Sequence, residues 1–325
     1  MEDKLLVGVD LGGTSIKLAV LDWEGRILLQ WEVLTDKEHE GRDIPVQIAQ
    51  SIHNKLEETG LEKNRIVGIG VGAPGPADPE TGVISEAVNL GWKSAFPLGS
   101  ILMETLSLPV LVDNDANCAA LGEMWRGAGK GALDLVCVTL GTGVGGGVIT
   151  GGKIVHGKGG AAGEIGHIIS LPDGGAPCNC GKNGCLETIA SATGVVRLAH
   201  ELLLKNDQVC ELSEIFEDRG FVTAKDVFDA ARNKDALAAI VVEKVSFHLG
   251  IALANIANTL NPDKIVIGGG VSRAGDILFA PLRDHFTRYA FPRVARSTAL
   301  SPAMLGNDAG VIGAGMLIRE QLSNL

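Results

Sequence analysis

A short glycine-rich segment of the chain carries four side chains that can bind a metal ion. Residues 163–187 read GEIGHIISLPDGGAPCNCGKNGCLE, and the four are His167, Cys178, Cys180 and Cys185. Three thiolates and an imidazole are a complete tetrahedral ligand set for zinc, and the glycines let the backbone fold tightly around one ion. A disulfide plus one free thiol is the alternative, but the opening residues MEDKLLVGVD contain no basic and apolar leader. We therefore do not expect secretion, and zinc is the preferred interpretation.

Two carboxylates flank this segment and are not needed as metal ligands. A four-ligand zinc site leaves no open position, so the ion would stabilise structure and orient side chains. If one ring nitrogen of His167 binds zinc, the other becomes a fixed N–H donor. We expect His167, Glu164 and Glu187 to offer one donor and several acceptors to a polyhydroxylated ligand. The remaining cysteines are expected to be ordinary buried or half-buried thiols: Cys118, Cys137 and Cys210.

The glycine-rich turn DLGGT at residues 10–14 joins two predicted strands near the start of the chain. It is not a P-loop, which requires a following helix and a Gly-Lys-Ser/Thr ending. Glycines let backbone N–H groups converge on an anion, and Asp10 at the strand end could hold Mg²⁺ through water. A plain glycine hairpin is the alternative. The predicted phosphate and magnesium contacts are Asp10, Gly12, Gly13, Thr14 and Lys17.

A second turn of this kind, GTGVGG at residues 141–146, occurs in a similar strand–turn–strand pattern. Its spelling matches the dinucleotide motif G-x-G-x-x-G, but that motif requires a following helix, and here a strand follows. Two such turns in two similar domains predict a phosphate clamp. A third glycine run follows the predicted strand KIVI, where it could cover an adenosine or form a plain tight turn. The predicted nucleotide contacts are Gly141, Thr142, Gly143, Gly268, Gly269 and Gly270.

Asp115 lies at the start of a predicted helix that follows a buried strand. An aspartate at such a position is usually a helix cap. A carboxylate held there could also accept the proton of a hydroxyl group that attacks phosphorus. Asn114 could add amide contacts, and Asn89 and the backbone from Gly72 to Gly75 are further polar candidates. Turn chemistry is the alternative for these last groups.

The chain contains an internal echo, by which we mean two segments of similar pattern. DLGGTSIKLAVLDWEGRI near the start resembles TLGTGVGGGVITGGKIV further along. This echo predicts two related α/β domains with a cleft between them. We expect a small domain at residues 1–118 plus about 308–325, and a larger one at 119–307 that carries the loop 163–187. The large domain is expected to contain a long apolar helix near 235–260 and an irregular strand near 296–300.

The composition limits the classes of function. The chain has 325 residues, enough for two cores, and a net charge of −11, which argues against general nucleic-acid binding. Aromatic residues make up only 4%, so stacking on nucleic-acid bases is not expected. No apolar run reaches the roughly 18–20 residues of a membrane span. We expect a cytoplasmic protein that binds neither nucleic acid nor membranes.

These motifs together resemble the ROK family of repressors and sugar kinases, over essentially the whole chain. The matching pieces are DLGGT at 10–14, VDNDANCAALGE at 112–123, TLGTGVGGG at 139–147, GEIGH at 163–167 and CNCGKNGCLE at 178–187. The resemblance implies the duplicated α/β fold of actin, hexokinase and Hsp70, which is ribonuclease H-like. Repressors of the family carry an additional N-terminal helix-turn-helix domain. The first strand is predicted near Lys4, which leaves no room for one.

The resemblance also implies roles for individual residues. Asp115 becomes the catalytic base, zinc is held by the one histidine and three cysteines, and ATP lies on the three glycine loops. The implied sugar contacts are Asn89, Asn114, Asp115, Glu164, His167 and Glu187, with Gly72 as a further candidate. A homodimer or higher homo-oligomer is expected.

The function that follows is an ATP-dependent hexose kinase using Mg²⁺ and structural Zn²⁺, with the 6-hydroxyl of glucose as the expected acceptor. One alternative is another acceptor, namely N-acetylmannosamine, fructose, mannose or allose. A sugar-responsive binding protein without activity and an actin-like or Hsp70-like ATPase are others. Polyphosphate as the phosphoryl donor also stays open.

Overall fold

The computed structural model of the protein describes residues 3–206 and 208–323 and is a mixed α/β structure. The chain divides into two compact units. The first comprises the residues up to Leu133, Gly147–Gly163 and the residues from Leu305 onward, and the second comprises Asp134–Gly146 and Glu164–Met304. The domain limits expected from the sequence, 1–118 plus about 308–325 and 119–307, stay a prediction.

The strands form two five-stranded sheets and one small hairpin. In chain order they are β1 (Leu5–Leu11), β2 (Ser15–Asp22), β3 (Ile27–Leu34), β4 (Ile66–Ala73), β5 (Ala77–Asp78), β6 (Val83–Ile84), β7 (Val110–Asn114), β8 (Leu135–Leu140), β9 (Val144–Thr150), β10 (Lys153–Ile154), β11 (Lys264–Gly268) and β12 (Ala299–Pro302). The first three confirm the strand–turn–strand–turn–strand pattern predicted for the start of the chain.

The helices follow in the same order. They are α1 (Ile44–Thr59), α2 (Leu98–Leu106), α3 (Asp115–Arg126), α4 (Glu187–Ala190), α5 (Ala192–Leu203), α6 (Glu211–Arg219), α7 (Ala224–Arg232), α8 (Ala236–Leu260), α9 (Asp276–Tyr289), α10 (Pro292–Ser297) and α11 (Ala309–Ser323). Short 3₁₀ helices lie at Glu38–Gly41, Lys63–Arg65, Val88–Leu90, Ile165–His167, Val271–Ala274 and Gly306–Asp308.

The two large sheets have the same topology. Their strand orders are β3-β2-β1-β4-β7 and β10-β9-β8-β11-β12. In the first sheet, β1, β2 and β3 pair antiparallel, whereas β4 and β7 run parallel to β1. In the second, β11 runs parallel to β8, and β12 runs parallel to β11. This repetition confirms the duplicated α/β architecture expected from the internal echo, and it agrees with the actin- and hexokinase-like fold that the family resemblance implies.

Close backbone packing seats α11 in the first unit. A Cβ atom on Gly8 of β1 would overlap the carbonyl oxygen of Val311, and one on Gly313 would overlap that of Cys118 in α3. Only glycine permits such approaches without displacing the backbone. The same unit buries Ile48 of α1 in the core formed with the strands of the first sheet. The contact between α11 and α3 supports the helix that begins at Asp115.

Helix α8 lies in the core of the second unit. It is the one helix of the described residues that is long and apolar enough to cross a membrane by length and composition alone, a test that buried core helices also pass. Val241, Val245, Leu249 and Leu253 are fully buried in the unit's hydrophobic core. The helix predicted near 235–260 is therefore confirmed as a packed core element.

One detail of the second unit differs from the sequence-based expectation. The strand predicted at 296–300 begins only at Ala299, and Arg296 lies in α10. Pro292 at the first turn explains this, because its fixed φ favours a helix start there. Helices α4 and α5 are separated at Ser191, whose side chain caps α5 by accepting from the Gly194 N–H at 3.0 Å.

Candidate active site and metal centre

Two predicted site residues and one neighbouring residue lie side by side near the carboxyl ends of the parallel strands in the first sheet. Asp10, Gly72 and Asp113 occupy paired positions on the parallel strands β1, β4 and β7. The carboxyl ends of parallel strands are where open α/β sheets bind ligands. Gly72 packs with its Cα against Cys118 of α3, so a side chain at this position would press on that helix. The first unit thus brings Asp10, Gly72 and Asp113 together at the carboxyl end of its parallel strands.

The junction between β7 and α3 positions Asp115. Asn114 is the N-cap of α3, and its amide oxygen accepts from the N–H groups of Ala116 (2.9 Å) and Asn117 (3.3 Å). Its amide nitrogen donates to the Gly75 carbonyl at 3.1 Å. Asn114 therefore takes the capping role considered for the aspartate. Asp115 is exposed at the first helical position, with one carboxylate oxygen 2.8 Å from the Ala116 N–H.

Asp10 is a shielded carboxylate at the end of β1. Burial raises its pKa, the charge of Lys17 on the paired position of β2 lowers it, and Glu32 on β3 raises it again. Its Oδ2 lies so near the Cα of Gly310 that a Cβ there would sit at 2.6 Å. Asp10 therefore lies against the start of α11 with Lys17 as its cationic neighbour. This setting suits a carboxylate that receives a cation or a water bound to one.

Two hydrogen bonds fix the backbone of the glycine turn that follows β1. The Gly12 N–H donates to the Ser15 carbonyl at 3.0 Å, and the Thr35 hydroxyl donates to the Gly12 carbonyl at 2.7 Å. Asn89, on an exposed 3₁₀ turn, packs beside Gly13, where an added Cβ would come within 3.5 Å of the Asn89 amide nitrogen. The structure thus brings Asn89 next to the turn predicted to bind phosphate.

The four predicted metal ligands converge in the second unit. The ligand atoms of His167, Cys178, Cys180 and Cys185 all lie within 4.8 Å of one another. The Cys178 Sγ is 3.6 Å from the His167 Nδ1, and the Sγ atoms of Cys180 and Cys185 are also 3.6 Å apart. A tetrahedral zinc site with Zn–S bonds of about 2.3 Å has ligand–ligand edges of about 3.5–3.8 Å. The donor set and its spacing therefore fit one zinc ion.

The geometry selects which ring nitrogen of His167 faces the cluster. Because Nδ1 is the atom nearest Cys178, Nε2 points to the other side, 3.8 Å from the Glu164 carboxylate. That distance is too long for a hydrogen bond. The ring is therefore arranged to donate from Nε2 to a third group, as the sequence suggested.

Glu187 connects the metal centre to the second glycine turn. It begins α4, and its Oε2 accepts from the Val144 N–H at 2.9 Å, while its Oε1 lies 3.7 Å from the Cys178 Sγ. Gly143 packs directly on this carboxylate, and a Cβ there would overlap Oε2. One side chain therefore contacts both the turn predicted to bind nucleotide and the cysteine cluster.

The two glycine segments of the second unit lie at the same sheet edge. Gly268 ends β11 opposite Thr139 of β8, and a Cβ on Gly269 would overlap the backbone of Leu140. The Gly141 carbonyl accepts from the Ala192 N–H at the start of α5, at 2.8 Å. Added Cβ atoms on Gly141 and Gly270 would meet nothing within 4 Å, so these backbones are open to a ligand. The structure therefore brings together the nucleotide contacts predicted in this unit.

A match to a family model identifies the protein family of the chain. The model of the ROK family matches residues 6–321. The chain belongs to the ROK family. It is 52% identical, over all of its length and 98% of the relative's, to a glucokinase of Halalkalibacterium halodurans.

Solved structures extend the comparison of this ROK protein. A ROK glucokinase from Streptomyces griseus, in complex with glucose and AMPPNP, has a TM-score of 0.79 at 36% identity and covers 97% of this chain and 99% of its own. A ROK hexokinase from Thermus thermophilus has a TM-score of 0.84 at 33% identity, with coverage of 99% and 100%. The fold and family expected from the motifs are confirmed.

One ion pair in this ROK protein was not found by sequence reasoning. The Nε2 of His156 lies 2.7 Å from the Oδ2 of Asp113, the residue two positions before Asp115. Asp113 is not among the predicted site residues, and His156 lies in the loop after β10. The two residues are 43 positions apart, and each contributes one side chain to the contact, so no periodic pattern in the sequence indicates it. The acidic residue beside Asn114 is the one hint that the sequence offers.

The His156–Asp113 pair is expected to make stability depend on pH. The hydrogen bond to Asp113 raises the pKa of His156 above its usual value near 6.5. A raised histidine pKa gives stability that is complete below about 6.5 and is lost as pH rises through the folded value. Thermal unfolding of the wild type and of His156→Gln, measured between pH 5.5 and 9, should show a Tm difference that shrinks with rising pH. A difference that grows with pH would contradict the pairing.

Proposed function

We propose that this chain is an ATP-dependent glucokinase, which transfers the γ-phosphoryl group of ATP to the 6-hydroxyl of glucose. The observation that carries the proposal is the full-length similarity to a glucokinase at 52% identity. The exposed carboxylate of Asp115 at the helix start provides the base that the reaction requires. The enzyme class, a phosphotransferase with an alcohol acceptor, follows from the same relatives.

Asp115 is proposed to accept the proton of the 6-hydroxyl as its oxygen attacks phosphorus. Its backbone is fixed on both sides, by the Asn114 cap and by the first turn of α3. A base held in this way keeps a short distance to a positioned hydroxyl, which contributes rate through both proton transfer and orientation. Phosphoryl transfer gains most from such positioning and from charge stabilisation.

The sugar contacts of the proposal are Gly72, Asn89, Asn114, Asp115, Glu164, His167 and Glu187. The amide of Asn114 already donates to the Gly75 carbonyl and caps α3, so its contribution to sugar binding lies mainly in holding its neighbour. The Nε2 of His167 and the carboxylate of Glu164 supply a donor and an acceptor suited to adjacent hydroxyl groups.

The nucleotide is proposed to contact the glycine segments already described. The residues are Gly12, Gly13, Thr14, Lys17, Gly141, Thr142, Gly143, Gly268, Gly269 and Gly270. Asp10 would hold Mg²⁺, which neutralises charge on the phosphoryl oxygens when bound. Support comes from the S. griseus relative, which was crystallised with AMPPNP.

A structural zinc ion held by His167, Cys178, Cys180 and Cys185 is part of the proposal. The fit of the donor set supports it. When bound, the ion would supply no chemistry to the reaction and would fix the orientation of His167 and of the loop that leads to Glu187. We further propose that the protein is cytoplasmic and forms a homodimer or a higher homo-oligomer.

A panel of acceptors tests the choice of substrate. ADP release from MgATP should depend on glucose, with a kcat/KM at least about tenfold above that for mannose, fructose, allose or N-acetylmannosamine. A higher kcat/KM for one of these sugars would keep the mechanism and overturn the choice of glucose. Sugar binding without ADP release would favour a sugar-responsive binding protein. Polyphosphate in place of ATP tests the donor in the same assay.

Gly143→Ala is expected to raise the KM for glucose about 10- to 100-fold. The new Cβ would displace the Glu187 carboxylate from the Val144 N–H, and a lost hydrogen bond to a charged group costs about 1.5–3 kcal/mol. Gly159→Ala is the matched control, because its Cβ would also meet nothing within 4 Å and Gly159 is not among the residues proposed to bind sugar or nucleotide. Steady-state kinetics with glucose varied at saturating MgATP measures the effect. Equal glucose KM values for the two variants would refute the role of Glu187.

A further inference from the structure

We propose that His156 is a positioning residue for the kinase reaction: through Asp113 it holds the junction of β7 and α3, and with it the Asp115 carboxylate. The inference rests on the proposed function of Asp115 as the base. His156 itself need not touch the substrate. Within the described part of the chain, its ring makes a polar contact with the Asp113 carboxylate, 2.7 Å away.

Asp113 is a fully buried carboxylate at the centre of this junction. It has 0% exposure and lies at the end of β7. Its Oδ1 accepts from the Asn114 N–H at 2.7 Å and from the Asn117 amide nitrogen at 2.8 Å, and Oδ2 is left for His156. The carboxylate therefore fixes residues on both sides of Asp115. A shift of Asp113 would move the cap, the first turn of α3 and the base together.

Charge makes a partner on Oδ2 necessary. Asp113, Asp10 and Asp115 all raise the pKa of the buried Cys118 thiol, after the larger effect of its burial, so the three carboxylates lie near that side chain. A buried carboxylate oxygen without a partner is strongly destabilising. The ring of His156 lies 2.7 Å from Oδ2, and its hydrogen bond with Asp113 raises the pKa of His156. The imidazole is therefore the hydrogen-bonding partner of the buried carboxylate.

His156 is itself anchored in a separate loop of the first unit. It follows β10, and its carbonyl accepts from the Ala162 N–H at 3.0 Å, closing the loop on itself. The residue before it, Val155, donates its N–H to the Val148 carbonyl at 2.8 Å. The backbone that carries the ring is thus held on both sides of His156, and the ring itself is one-quarter exposed, which suits a fixed support.

The test compares three variants at one position with a control elsewhere. His156→Leu removes the donor, His156→Gln keeps a donor of similar reach, and His156→Ser leaves room for water if the leucine variant does not fold. His53→Gln is the control, because His53 pairs with Glu57 at 3.2 Å on an exposed helix surface. Each protein is checked by thermal unfolding, and kcat and KM are measured for glucose and for ATP.

We expect the leucine or serine variant, when folded, to lose roughly 10- to 100-fold in kcat with both KM values within about threefold of the wild type. The glutamine variant should recover most of that loss, and His53→Gln should match the wild type. A folded leucine or serine variant with wild-type kcat would overturn the positioning role. So would a loss that glutamine does not rescue. Wild-type protein without glucose-dependent turnover would instead overturn the proposed function, and this inference with it.

Discussion

Replacing Asp115 by asparagine should lower kcat about 10²- to 10⁴-fold and leave glucose binding within about threefold of the wild type. Asparagine keeps the size of the side chain and one acceptor for the Ala116 N–H, so the start of α3 should be preserved. It cannot accept the proton of the 6-hydroxyl, and general base catalysis typically contributes a factor of this size. Coupled detection of ADP measures kcat, and calorimetry measures glucose binding.

Asp43→Asn is the matched control for this result. Asp43 is another aspartate at a helix start in the first unit, where it precedes α1, is exposed, and accepts no capping hydrogen bond from that helix. Its replacement should leave kcat unchanged. A kcat for Asp115→Asn within about threefold of the wild type would remove Asp115 as the base. Loss of glucose binding with turnover intact at saturating sugar would assign it to binding instead.

Loss of zinc should weaken glucose binding through both His167 and the loop that leads to Glu187. Cys180→Ser changes the exposed member of the cluster, so it removes a ligand with the smallest disturbance of packing. We expect the zinc content to fall well below one ion per chain and the KM for glucose to rise about tenfold or more. The reason is that His167 and the loop leading to Glu187 lose a fixed orientation, and supporting groups of metal sites are worth about 10–100-fold.

Cys210→Ser separates this effect from a general sensitivity to thiol loss. Cys210 is half-buried at the start of α6 and lies outside the cluster. Its variant should retain zinc and the wild-type KM. Metal analysis is made on the same preparations as the kinetics. A zinc-free Cys180→Ser protein with an unchanged glucose KM would end the orienting role of the metal centre.

Local signals in the sequence were enough to predict the elements around the site. The alternating apolar residues of the first thirty positions and the intervening glycines gave β1 to β3, because only glycine-rich turns allow such short connections. The cysteine spacing in the loop 163–187 predicted the cluster, since ligands so close in sequence meet without help from the rest of the fold. The internal echo predicted two sheets of one topology.

Contacts between distant residues were beyond the same reasoning. The pairing of Asp113 with His156 depends on the return of the chain after β10, which no local pattern reveals. The contact of Glu187 with the Val144 N–H likewise joins two segments that the sequence suggested separately. At the start of α3, the usual preference for aspartate at helix starts suggested Asp115 as the cap, but in the structure Asn114 is the N-cap residue. The short helix α10 was missed because six residues carry too little periodicity.

The identity of the product tests the central claim most directly. Wild-type protein is incubated with MgATP and glucose, and the products are followed by ³¹P NMR together with enzymatic measurement of ADP. The account predicts glucose 6-phosphate as the single phosphorylated sugar, formed with one ADP per molecule, and no ADP when glucose is left out. ADP accompanied by inorganic phosphate in the absence of sugar, or a phosphate on another hydroxyl of glucose, would contradict it.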